Sequence, residues 1–244
     1  MGHSDLDLQT YEELAQITDM ALLAPDLSEE DVARGCEKAK AYGIASVTLR
    51  PADMQAASQW LRGSSVMPIA AVSYPHGAAT TAVKNYETRD MLQRGAKGIE
   101  TPLNLGKLRS RGFQYVEMEL IQMVSECRRA GAGVTLDIEF PSLVEPDLRV
   151  IACKIAKRTE VERVRAVSLY GTGKPSLEDM EFLKSKLGDA AKLDAGGWIR
   201  TLDDVQWALA AGAVSYQTTD PAPILDAWRE ELKRRAAVAN PAVT

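Results

Sequence analysis

Ala191-Lys192-Leu193-Asp194-Ala195-Gly196-Gly197-Trp198-Ile199-Arg200-Thr201-Leu202-Asp203-Asp204 reads as one complete strand, turn and helix start. Ala191–Ala195 suits a short strand, Gly196-Gly197 turns the chain, and Thr201 stands where a hydroxyl caps a helix. Asp203 and Asp204 then place negative charge at the positive end of that helix. Outward from this unit the same pattern recurs. Helix starts of the same kind stand at Ser28-Glu29-Glu30-Asp31 and Ser176-Leu177-Glu178-Asp179. Stops stand at Gly43, Gly63, Gly95, Gly131 and Gly212, each just ahead of a further apolar run.

Eight such runs are present: Ile17–Leu23, Ile44–Leu49, Pro68–Ser73, Gly98–Leu103, Val134–Phe140, Val164–Leu169, Ala191–Ala195 and Val214–Thr218. Strands alternating with amphipathic segments predict a parallel sheet. Eight units in 244 residues fit an α/β chain folded as a single (β/α)8 TIM barrel better than an open doubly wound sheet. One domain over residues 1–244 suffices, with a short helix around Tyr11–Gln16 before strand one and a frayed tail from about residue 237.

With 45% hydrophobic and 26% charged residues, the chain can bury one core. A net charge of -5 without a basic run argues against a nucleic-acid partner and for a small-molecule substrate. Cys36, Cys127 and Cys153 are far apart and form no zinc or disulfide pattern. Met1 to Gln9 is polar and acidic, unlike a signal peptide, and no apolar run approaches membrane-spanning length. No membrane partner and a cytoplasmic setting are expected.

A barrel of this kind keeps its active site at the carboxyl ends of its strands. Charge inside predicted strands is the unusual feature, because unpaired buried charges are costly. Glu100, Asp137, Arg165, Lys192 and Asp194 are therefore the catalytic candidates. Polar and glycine positions at the strand ends and following turns are candidates for substrate binding: Asp19, Thr48, Arg50, Ser73, His76, Tyr170, Gly171, Gly173, Gly196, Gly197, Thr219 and Asp220. Neither a metal nor a cofactor is called for.

The run from Gly63 to Lys84, with Tyr74-Pro75-His76-Gly77 ahead of Thr80-Thr81, resembles the third-strand signature of deoxyribose-phosphate aldolases, where a Phe-Pro-x-Gly turn precedes a Thr-Thr helix start. Asn104-Leu105-Gly106-Lys107-Leu108, Gly171-Thr172-Gly173, Ile199-Arg200-Thr201-Leu202-Asp203 and Ala210-Ala211-Gly212-Ala213 match in order and spacing, so that the resemblance spans roughly residues 16 to 225. It implies a class I aldolase joining acetaldehyde to a phosphorylated three-carbon aldehyde, and often a homodimer. It also implies a strand-six lysine that forms a Schiff base, a strand-seven lysine that lowers its pKa, and a strand-four aspartate that moves protons. In this chain those positions fall on Arg165, on Asp194 (or Leu193 if the alignment is anchored on Ala195-Gly196-Gly197), and on Glu100.

A guanidinium stays protonated and cannot attack a carbonyl, so imine chemistry does not start at position 165. One reading is a divergent lyase or isomerase for a sugar-like compound or oxoacid, with Glu100, Asp194 and Asp137 as acid–base groups and Arg165 as an anion clamp. A second moves the amine to Lys192, one layer below Asp194, where a structural ion-pair role competes. A third gathers Glu100, Asp137, Glu139 and Asp194 around Mg2+ or Mn2+. A fourth is a non-catalytic binding barrel with Arg165 paired to Asp194 or Glu100. Lys174 could compensate for the repulsion of a phosphate by Asp220. Trp60, Trp207 and Trp228 read as packing residues, and Trp198 as a residue that narrows the phosphate end or belongs to the core.

Overall fold

A computed structural model describes residues 8–239, which form a closed barrel of eight parallel strands in sequence order. The strands are β1 (Thr18–Leu22), β2 (Ser46–Leu49), β3 (Met67–Ala71), β4 (Gly98–Pro102), β5 (Gly133–Asp137), β6 (Arg163–Arg165), β7 (Lys192–Ala195) and β8 (Ser215–Thr218). The helices are α1 (Tyr11–Ala15), α2 (Glu29–Tyr42), α3 (Met54–Trp60), α4 (Thr81–Gln93), α5 (Leu105–Arg109), α6 (Phe113–Arg129), α7 (Pro146–Thr159), α8 (Leu177–Leu187), α9 (Leu202–Ala210) and α10 (Ala222–Ala239).

The three helix starts read from sequence are reciprocal capping boxes: Ser28 with Asp31, Ser176 with Asp179, and Thr201 with Asp204. Each box satisfies two backbone donors that a helix end leaves orphaned. Gly43 ends α2 in the left-handed conformation that glycine adopts without strain. α1 precedes β1 as expected, and Trp228 of α10 donates from Nε1 to Thr10 O at 2.9 Å, tying the last helix to the start of the first. α10 continues to Ala239; residues 240–244 of the expected frayed tail lie outside the described residues. No helix among the described residues is long and apolar enough to cross a membrane.

Alternation along each strand divides the side chains between two environments. Val47, Leu49, Ala70, Ile99, Leu136, Val164, Leu193 and Tyr216 are buried in the main apolar core between sheet and helices, together with Cys36, Cys127 and Cys153, which are free thiols. Between α4 and α6, Lys84 and Glu119 form a buried ion pair at 2.5 Å, each side chain 1% exposed. The inward side differs from the branched apolar filling usual in such barrels: Asp19, Thr48, Glu100, Arg165, Asp194 and Gln217 occupy it.

Two strands stop well short of the carboxyl ends of their apolar runs. β5 ends at Asp137, where Val134–Phe140 was expected, and β6 ends at Arg165, where Val164–Leu169 was expected. Past those points Glu139 turns into the left-handed region, φ 56°, and its carboxylate takes the Ser168 N–H.

Candidate active site

Parallel register sets Asp137 of β5 and Asp194 of β7 on either side of Arg165 of β6. Arg165 Nη1 lies 2.7 Å from Glu100 Oε2 and 3.2 Å from Asp137 Oδ1, while Nη2 and Nε lie 2.7 and 2.8 Å from Asp194 Oδ2. Gly196 admits this arrangement: a Cβ there would stand 2.5 Å from Arg165 Cδ. Gln217 Nε2 donates to Glu100 Oε2 and Asp19 Oδ2, both at 2.7 Å, and Ser46 Oγ and Thr48 Oγ1 donate to Asp19 at 2.7 and 2.8 Å. Ser215 Oγ donates to Asp194 Oδ1 at 2.7 Å.

Three carboxyl groups thus contact one guanidinium with Asp19 a fourth nearby, and they cannot all be ionised cheaply in a buried site. Burial, with the neighbouring Glu100 charge, pushes Asp137 well above the ordinary aspartate range, Arg165 opposing. The same causes raise Asp19. Burial works against the Arg165 charge, yet Glu100, Asp194, Asp137 and Asp19 together outweigh it and hold the guanidinium more firmly protonated. Glu100 Oε1 and Asp137 Oδ2 remain buried without a hydrogen-bond partner, each able to meet a ligand.

The carboxyl-end mouth carries an aromatic cover. Tyr74, after β3, brings its hydroxyl down beside Ser168; burial, then Glu100 and Asp137, raise its pKa. Its ring meets that of Tyr170 edge-on at 5.8 Å, and Tyr170 Oη donates to Leu23 O at 3.1 Å. Ala21, Leu23 and Ala71 form a small apolar cluster against which Tyr74 and Leu169 pack. From the amino-terminal end a cavity of about 550 Å³ runs up the barrel to Asp19, Glu100, Arg165 and Asp194.

The expected catalytic set divides. Glu100, Asp137, Arg165 and Asp194 come together; Lys192 stands at the amino-terminal mouth, its side chain 58% exposed and 3.8 Å from Glu162. Arg165 differs from the expected anion clamp: each of its three nitrogens already faces a carboxylate, so it is an internal counter-ion. That geometry also places a cation where a metal would sit between the acids. No group of three or more His, Cys, Asp or Glu side chains among the described residues is arranged to hold a metal ion.

Among the expected binding residues, Asp19 and Thr48 line the lumen. Arg50 instead holds a loop, pairing with Asp53 at 2.6 Å and donating to Ala24 O and Leu27 O. Ser73, φ 55°, accepts from Ala79 N through Oγ. His76 is exposed in the turn after β3. Gly171 donates its N–H to Ser168 O at 3.1 Å, so that donor is spent. Gly173 and Gly197 are left-handed, and Arg200 Nη2 donates to Gly197 O. Thr219 is exposed, and Asp220 pairs with Lys38 at 3.3 Å. Lys174 packs 4.2 Å from the ring centres of both Trp198 and Trp207 instead of facing Asp220. Tyr74 and Gln217 were legible as polar residues at the strand ends but carried no assigned role; Tyr74 stands where the resembled family carries phenylalanine.

A deoxyribose-phosphate aldolase from Staphylococcus epidermidis is 32% identical over 199 residues, covering 82% of this chain and 89% of that protein. The chain belongs to the deoxyribose-phosphate aldolase family. The enzyme of that name from Bacteroides thetaiotaomicron is 30% identical over 221 residues, with 91% and 92% of the two chains covered. A deoxyribose phosphate aldolase from Aeropyrum pernix, described as tetrameric, superposes with a TM-score of 0.84 at 25% identity, covering 92% of this chain and 94% of that one. The aldolase QR15 shares the fold with a TM-score of 0.83 at 24% identity, covering 91% and 97% of the two chains. No protein-family model matches the chain.

Proposed function

We propose that this family member is an aldolase-like lyase or isomerase for a small, neutral, sugar-like compound, with carboxyl groups in the place of imine chemistry. The observation that carries the reading is the Glu100 and Asp137 pair. Both share Arg165 Nη1, and each keeps one buried oxygen free. Burial drives Asp137 toward its protonated form, which suits the acid, and Glu100, held by Gln217 and Arg165, is assigned as the base. In the cleavage direction Glu100 takes the proton of the hydroxyl on the carbon beside the breaking bond. The O–H pair becomes the C=O of the released carbonyl product, the breaking carbon–carbon pair becomes the C=C of an enol, and the π pair of the substrate carbonyl takes the proton that Asp137 supplies. Isomerisation uses the same groups, with the proton taken from the carbon next to the carbonyl.

An excess of carboxyls over guanidinium disfavours an oxoacid and favours a neutral substrate. Lys192, far from the Tyr74 and Tyr170 cover and facing Glu162, suits a counter-ion better than a nucleophile. The engagement of all Arg165 nitrogens favours one second reading, a binding barrel without turnover. Self-association is proposed on the resemblance to tetrameric and dimeric relatives, and light scattering tests it.

Turnover of 2-deoxyribose, and of acetaldehyde with glyceraldehyde, followed by NMR, separates these readings. Activity that survives borohydride and falls at least about 100-fold in Glu100→Gln is expected. Borohydride inactivation, or full turnover in Glu100→Gln, would sink the carboxylate mechanism.

A further inference from the structure

The two tyrosines of the mouth differ in what their hydroxyls do. Tyr170 has given its hydroxyl to Leu23 O. The Tyr74 hydroxyl is buried beside Ser168, and among the described residues no hydrogen bond is completed to it. A buried hydroxyl left unpaired is costly, so one kept at the mouth of a site calls for a ligand to complete it.

The turn that carries Tyr74 is fixed from several sides. Ser73 N–H donates to Glu87 of α4 at 2.8 Å, Ser73 Oγ accepts from Ala79 N at 3.2 Å, and Gly77 N–H donates to Ser73 O at 2.8 Å. Gly77 also lies so close to the end of β4 that a Cβ there would stand 2.4 Å from Pro102 O. The ring packs on Ala21, Leu23 and Ala71 and meets Tyr170 edge-on. A donor held this way is placed before the ligand arrives, which is the condition under which a hydrogen bond stabilises developing charge best.

Glu100 and Asp137 are near enough to weigh on the phenol; burial and these two neighbours keep it protonated and therefore a donor. Each of the two carboxyls also has one buried oxygen without a partner. A tyrosine beside a protonated carboxylic acid is an arrangement that suits an oxygen gaining negative charge.

We propose that Tyr74 holds the substrate carbonyl: its Oη donates a hydrogen bond to the carbonyl oxygen that Asp137 protonates. The phenol keeps its own proton throughout, and the bond tightens as charge builds on that oxygen. The inference rests on the lyase or isomerase reading. Substrate reaches Tyr74 past Tyr170, which is 46% exposed.

The test reads the hydrogen bond apart from turnover. Hydroxyacetone, a small neutral ketone labelled with 13C at its carbonyl, is titrated into wild type and into Tyr74→Phe, which keeps the ring and removes the donor. In wild type the bound carbonyl signal is expected downfield of the free one, because a donor on the oxygen draws charge from the carbon. In Tyr74→Phe part of that displacement is lost, and binding weakens about 3- to 10-fold. With 2-deoxyribose, kcat falls about 100-fold in the same variant. Labelling tyrosine at ring Cζ gives a second reading in wild type alone, where hydroxyacetone is expected to move the Tyr74 signal. Equal carbonyl displacement in the two proteins would overturn the proposal, as would a Tyr74 Cζ signal that stays still or a wild type that takes up no hydroxyacetone. A wild type that displaces the carbonyl signal through Tyr74 yet leaves 2-deoxyribose intact would end the lyase reading and uphold the Tyr74 hydrogen bond.

Discussion

Replacing Arg165 by methionine removes the one positive charge among Glu100, Asp137 and Asp194 while keeping a long apolar stem. The side chain is 3% exposed, and its partners are 0–4% exposed, so water cannot replace the lost contacts. Breaking a buried ion pair from one side costs about 3–5 kcal/mol. For a chain of this size that corresponds to a fall in Tm of roughly 6–20 °C. The sign of its pH dependence follows from the carboxyls. The folded pKa values of Asp137 and Asp19, already raised, rise further without Arg165, while the unfolded values stay near 4. A raised folded pKa gives stability that is full below the unfolded value and lost as pH climbs through the folded one. Urea melts of wild type and Arg165→Met at pH 5, 6.5 and 8 should show the widest gap at pH 8 and a narrower one at pH 5. Equal midpoints at pH 8, or a gap independent of pH, would refute the view that ionised carboxylates lean on this guanidinium.

Arg165→Lys restores an amine at the position where the family resemblance implies one, but among three carboxylates that amine should stay charged. Treatment with acetaldehyde and borohydride at neutral pH is expected to leave residue 165 unmodified by peptide mass mapping, and an adduct there would contradict this. At the Lys84–Glu119 pair, Lys84→Met should destabilise by about 3–5 kcal/mol in urea melts, while Lys84→Met with Glu119→Leu should recover most of the loss. A double variant no better than the single one would show that packing, and not a stranded charge, sets the cost.

The barrel was legible because its signals are local. A capping box at Ser28, Ser176 or Thr201 spans only four residues, and a glycine stop only one. The gathering of Glu100, Asp137, Arg165 and Asp194 was legible too, because charge within a strand has few places to go in a closed sheet. What the sequence hid was the partnership of each group. Nothing local to Arg165 says that all its nitrogens are taken, and nothing in Asp137-Ile138-Glu139-Phe140 says that the chain leaves the strand to bring a carboxylate under Ser168. High strand propensity in Val167-Ser168-Leu169 pointed the other way, and tertiary contact overrode it. Lys174 misled for the same reason: its contacts join its loop to Trp198 and to Trp207 of α9, both remote in sequence.

The hollow that rises from the amino-terminal end to Asp19, Glu100 and Asp194 is lined with the hydroxyls of Thr18, Ser46, Thr48, Thr135 and Ser215. In the lyase or isomerase proposed above, that lining would carry protons to Glu100 from the face opposite the tyrosines, so that recharging the base and releasing the product would fall on opposite sides of the sheet.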